Sequence, residues 1–67
     1  MEMVYVIQVG ERYAYWTEED GCCLSDALFE ADMYQVKASA LADMKFATDE
    51  YRLPARVIAV QLTIVQE

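Results

Sequence analysis

The sequence predicts an α+β domain of ββαβ order. The expected sheet is three-stranded and mainly antiparallel, with one helix, continuous or broken in two, packed on one face. Three patterns predict this. VYVIQVGERYAYW, residues 4–16, places β-branched and aromatic residues on both sides of one Gly-Glu pair. Val36, Ala40, Met44, Ala47 and Tyr51 recur at helical spacing. Residues 56–65 alternate along their whole length, as a strand does. With 67 residues the chain makes one domain, 1–67, and no more. A domain this small buries only ~60% of its unfolded surface, so its stability margin is thin.

The hairpin comes first. Gly10 at the first central position of a two-residue loop suits a type II′ turn, whose twist matches that of the flanking strands. That loop pairs Val9 with Arg12, Gln8 with Tyr13, Ile7 with Ala14, Val6 with Tyr15 and Tyr5 with Trp16. Alternation then gives one face made of Tyr5, Ile7, Val9, Ala14 and Trp16, and another made of Val4, Val6, Gln8, Tyr13 and Tyr15.

Thr17 to Gly21 is a polar turn ending in Asp-Gly, and Cys22-Cys23-Leu24 could add a short strand. Ser25 has the character of a helix N-cap, with Asp26 favoured by the helix dipole in the first turn. Leu24 and Phe29 are spaced for a hydrophobic staple. Ala27, Leu28 and Ala31 would form the stripe of a short helix. Residues 32–35 are either a bend between two helices or part of one continuous helix. From Val36 the helical stripe is clear, and Leu41 widens it. Leu53-Pro54 forces an extended entry to the last strand.

That strand should lie beside the first. Its stronger face, Ile58, Val60, Leu62 and Ile64, is expected to join Tyr5, Ile7, Ala14 and Trp16 beneath the helix. The expected core is therefore Trp16, Ile58, Val60 and Leu62 under Leu28, Leu41 and Met44.

Composition narrows the function classes. Twelve acidic and five basic residues give a net charge of −7, and the basic ones stand singly. Direct nucleic-acid binding needs a basic stripe to displace counterions, and none exists. Anionic membranes are disfavoured by the same charge, and no apolar run reaches the ~20 residues of a membrane span. No basic, apolar leader opens the sequence, so the expectation is a cytoplasmic protein. Adjacent Cys22 and Cys23 are poorly placed to bridge, which fits a reducing compartment.

The chain has no histidine, hence neither the commonest general base nor the commonest metal ligand. Two cysteines alone do not make a zinc site, and two glycines do not make a phosphate loop. Glu18, Glu19 and Asp20 form the densest carboxylate cluster, but neighbours in an exposed turn point apart. The expectation is no catalytic residue, no metal and no cofactor.

What remains is a surface. Val4, Val6, Tyr13 and Tyr15 have no evident cover within so short a chain, and tyrosine is enriched where one end of a side chain is dry and the other wet. Glu11, Glu18, Glu19 and Asp20 fall near the ends of the same ribbon. An aromatic centre with an acidic rim fits a protein partner with a basic surface. A second copy of the chain is the alternative occupant, and a plain solvent-facing sheet face, which tyrosine also suits, is the reading without a partner.

The rhythm YVIQVGERYAYW, then SDALFEADMY, VKASALADM and PARVIAVQLTI, resembles small uncharacterised open reading frames of bacterial phages and prophages. The resemblance spans nearly the whole chain and carries no diagnostic motif, so it assigns no residue a role. It implies a phage or mobile-element origin and a bacterial host cytoplasm. It also implies a protein of the kind that inhibits host defence systems, CRISPR effectors included, by occupying their nucleic-acid-binding surfaces. Gly21-Cys22 and the following segment are also similar to an antitoxin family with a partly degraded RNase-like fold. The Gly-Asp-Thr entry expected after that turn is missing here, and no DNA-binding domain is appended.

Overall fold

The computed structural model describes residues 2–63. Strands β1 (Glu2–Val9), β2 (Arg12–Thr17) and β3 (Gly21–Ser25) lead through a single 3-10 turn (Leu28–Glu30) to helix α1 (Lys37–Tyr51) and strand β4 (Ala55–Leu62). The sheet is antiparallel and four-stranded, in the order β3-β2-β1-β4. The α+β class holds, and Cys22-Cys23-Leu24 does form a strand, which makes the sheet four-stranded and not three-stranded. Ile64 and Val65, the expected end of the last strand, lie outside the described residues.

Turn chemistry explains the first half. Gly10 alone of the two loop residues has a positive φ, 62°, as a type II′ turn requires. Gly21 ends the second turn at φ 70°, and Asp20 N–H donates to Thr17 Oγ1 within it. Ser25 accepts from Ala27 N–H, a local turn that does not start a helix. Phe29 is 81% exposed, so the expected staple with Leu24 is absent, and Leu28 is exposed as well. Only the 3-10 turn forms there. Residues 32–35 are thus neither helix nor simple bend.

They are a wedge in the sheet. β1 and β2 pair at Gln8–Tyr13 and Val9–Arg12, next to their turn. Farther along, β1 follows β4 and β2 follows β3, and the returning chain occupies the fork. Tyr5 and Tyr34 exchange both backbone hydrogen bonds, each 2.8 Å. Asp32 N–H donates to the Ala14 carbonyl, and Trp16 N–H donates to Asp32 Oδ2 at 3.0 Å. The expected Tyr5–Trp16 pair is replaced by Tyr5–Tyr34. Splayed strands would leave inner backbone groups unsatisfied, and this segment supplies their partners.

The helix starts after Val36 without a side-chain cap. It stops where Arg52 turns left-handed, φ 53°, and donates its N–H to the Thr48 carbonyl. It docks through alanine: Ala40 and Ala47 are fully buried against Ile7, Val9 and Ala14. Met44 and Tyr51 pack at the margin of this cluster, as the spacing predicts. Val36 and Leu41 are exposed, so the stripe is narrower than expected.

The second correction concerns β4. It pairs with β1 along its full length, from Glu2–Leu62 to Val9–Ala55. Directly paired residues share a face. Val57 is opposite Ile7, so it and Ala55 lie on the helix side, packed against the core. Ile58 and Val60 are opposite Val6 and Val4, on the other side. The strong face of β4 therefore does not lie beneath the helix. Size matching explains why. A helix that approaches on two alanines needs the shallower face of Ala55, Val57 and Ala59, and one residue of slip would invert the whole strand.

A candidate docking face

The face opposite α1 is built from alternate residues of all four strands. β1 contributes Val4, Val6 and Gln8, β2 contributes Tyr13 and Tyr15, and β3 contributes Cys23 and Ser25. β4 contributes Arg56, Ile58, Val60 and Leu62. Val4 and Val6 are buried, at 4% and 0% exposure, yet they lie outside the helix-side cluster. They form the floor of this face and do not offer themselves to a partner. Tyr13, Tyr15, Ile58, Val60 and Leu62 are half-buried around them.

Charges sit at the ends, as expected from the sequence. Glu11 occupies the β1–β2 turn, and Glu18, Glu19 and Asp20 occupy the β2–β3 turn at the opposite end of β2; all four are exposed. The carboxylates therefore flank Tyr13 and Tyr15 along one strand without converging into a cluster. The Tyr15 hydroxyl is pushed above its usual pKa, first by the Cys23 thiol on the adjacent strand, then by partial burial, with Glu30 and Asp20 adding to the effect. At the far side Arg56 Nε donates to Gln8 Oε1 at 2.7 Å, tying β4 to β1 on this face. Arg12, exposed at the turn, pairs with Asp26 at 3.1 Å.

Sequence reasoning missed Ile58, Val60 and Leu62 as members of this face. The missed signal was in the helix. Ala40 and Ala47 at the centre of its stripe call for a shallow counterface, and the milder side of β4 offers one.

Polar side chains elsewhere bond across the fold. Tyr51 Oη donates to the Cys22 carbonyl at 2.6 Å, and Tyr34 Oη donates to Asp43 Oδ2 at 2.8 Å. Burial, with help from Asp43, raises the Tyr34 pKa strongly. Cys22 and Cys23 are both free and half-buried. Successive strand positions send their side chains to opposite faces. Burial pushes the Cys22 thiol up to about 11, with Cys23, Glu50 and Asp32 adding to it. Thiolate is the nucleophilic form, so Cys22 should be slow to react at neutral pH. In a Cys23→Ser variant, which removes the Cys23 contribution and leaves burial, the rate of iodoacetamide alkylation should rise with a midpoint still above the ordinary thiol value. A midpoint at the ordinary thiol value would show that Cys22 is open to water.

Among the described residues no group of three or more potential metal-ligating side chains converges. No helix among them is long and apolar enough to cross a membrane. Open hollows flank Pro54, one lined by Thr48, Asp49, Arg52 and Leu53, the other by Gln8, Gly10, Ala55 and Arg56. Comparison of the chain with protein-family models, curated proteins and solved structures finds no match.

Proposed function

We propose that this chain is a non-enzymatic protein-binding module whose working surface is the sheet face opposite α1. One observation carries the reading: Tyr13, Tyr15, Ile58, Val60 and Leu62 line one side of the sheet while the helix occupies the other. All five are half-buried, and their remaining apolar surface on one face of a small domain is what a partner would cover. The tyrosines give rigid contact area, and the carboxylates at both ends of β2 steer a basic partner surface toward it. This suits the inhibitor role that the resemblance to phage-encoded proteins implies, in which an acidic surface occupies the basic groove of a host defence protein. Nothing in the reading asks the chain itself to contact nucleic acid or a membrane.

The test uses the chain as bait in a bacterial lysate, with Tyr13→Thr and Tyr15→Thr combined as the control bait. Threonine keeps strand propensity, so the far-ultraviolet circular dichroism should be unchanged. The wild-type bait should retain a basic protein that the double variant loses. Retention should weaken as salt rises, because the rim contribution is screened over roughly 10 Å at 0.1 M. Equal retention by both baits would move the working surface away from this face.

A further inference from the structure

We infer that two copies of this chain associate through β4, edge to edge and antiparallel, to form one continuous eight-stranded sheet. Three observations point to a second copy as the occupant. First, β4 spans eight residues, Ala55–Leu62, and no strand lies on its outer side among the described residues. Open edges are normally blunted by proline, by lysine, by a bulge or by shortness. β4 has none of these: Pro54 precedes it, its pairing with β1 is unbroken, and its one charged residue, Arg56, is tied to Gln8.

Second, the charge distribution leaves the edge open to self-approach. The chain carries twelve carboxylate side chains against five basic residues, yet none of the twelve lies in residues 51–63, which hold Arg52 and Arg56. Two copies with net charge −7 repel over most of their surfaces. Along β4 they do not.

Third, an antiparallel two-fold makes the ends complementary. With the axis at Ala59, which is exposed, Ile58 of each copy lies opposite Val60 of the other, on the docking face. Arg56 lies opposite Leu62 of the second copy, and Leu62 is paired on its inner side with Glu2. Arg56 and that Glu2 are then two strand spacings apart, about 10 Å, which their two side chains can span when Arg56 exchanges its Gln8 bond for the partner's carboxylate. The axis is perpendicular to the sheet, so both docking faces end up side by side on one surface. The inference goes beyond the proposed function and does not depend on it.

Sedimentation equilibrium over a concentration series tests it. The wild-type chain should show a reversible monomer–dimer equilibrium. Ala59→Glu sets two carboxylates directly opposite each other at the axis, where like charges are unfavourable. It should weaken dimerisation at least tenfold and leave the circular dichroism unchanged. Arg56→Glu should also weaken it, and Glu2→Arg added to Arg56→Glu should restore it. A chain that stays monomeric at several hundred micromolar overturns the inference and leaves the docking face untouched. A dimer indifferent to Ala59→Glu but lost with Tyr13→Thr and Tyr15→Thr overturns it in favour of face-to-face packing. Restoration failing while Ala59→Glu still dissociates the dimer overturns the Ala59 register.

Discussion

Ile7→Ala should unfold this protein, or bring it close to unfolding, whereas Leu62→Ala should barely be felt. Ile7 is 1% exposed, sits in the inner strand β1, and belongs to the cluster under Ala40 and Ala47. Removing a buried isoleucine to its Cβ costs ~2–5 kcal/mol, because the cavity left behind collapses only in part. At roughly 0.05–0.15 kcal/mol per residue the whole domain holds only about 3–10 kcal/mol. The melting temperature should fall by roughly 8–40 °C, at ~4–8 °C per kcal/mol for a domain of this size. Leu62 is half-buried, near the end of the edge strand, on the face away from the helix. Its truncation should cost about 1 kcal/mol or less. Both variants are compared by thermal and urea melts at the same low micromolar concentration, where association contributes little. Equal losses would mean that the strong face of β4 lies under the helix after all, and that the β1–β4 register is off by one residue.

That comparison isolates what can be read from a strand and what cannot. The period of residues 56–65 identifies a strand, and its length and composition put it beside β1, where it lies. Period alone does not say which face looks inward when both are apolar, because each is a possible core face. The choice was made by the partner element: α1 packs through alanines, which suits Val57 and Ala55 and not Ile58 and Val60. The hairpin was legible for the opposite reason. Gly10 admits a positive φ, which sets the turn and with it the Val9–Arg12 register. The short third strand was legible only as an option after the Asp-Gly turn, and the expected three-stranded sheet left it out. Ser25-Asp26 imitated a helix start because an N-cap and a local turn use the same hydroxyl-to-backbone bond, and the chain after it is drawn into the fork, where Asp32 and Tyr34 bond to Ala14 and Tyr5.

The candidate face divides along similar lines. Tyr13 and Tyr15 were legible as residues on the side away from Ile7, and the carboxylates as its ends. Val4 and Val6 were legible as members of the same side but not as its floor. Burial of a sheet residue depends on the strands beside it, and β4 was assigned the opposite orientation. With β4 turned over, Ile58 and Val60 flank both valines, and the face becomes broader and more aliphatic than the aromatic ribbon suggested.

The fork between β1 and β2 had no sequence signal, and it yields the sharpest remaining prediction. Asp32 is half-buried and ties the wedge to the β2 side of the gap: its N–H donates to the Ala14 carbonyl and its carboxylate accepts from Trp16 N–H, while Tyr34 ties the wedge to β1 through Tyr5. Asp32→Ala removes the acceptor but not the donor. A backbone N–H left without a partner costs ~1–3 kcal/mol, a large share of a small domain's stability. Asp32→Asn keeps a carbonyl oxygen in place and should recover most of that loss. Hydrogen exchange gives the local readout: the Trp16 amide should exchange much faster in the alanine variant and close to the wild-type rate in the asparagine variant. Trp16 is the single tryptophan, so its fluorescence should report the same loosening. The Tyr5–Tyr34 bonds do not involve Asp32, and Tyr5 should stay protected while the domain remains folded. An alanine variant of full stability, with the Trp16 amide still slow, would show that Trp16 N–H has another acceptor. The strongest candidate is then the Tyr5 carbonyl, which would close the fork into the uninterrupted Tyr5–Trp16 ribbon that the hairpin turn alone would dictate.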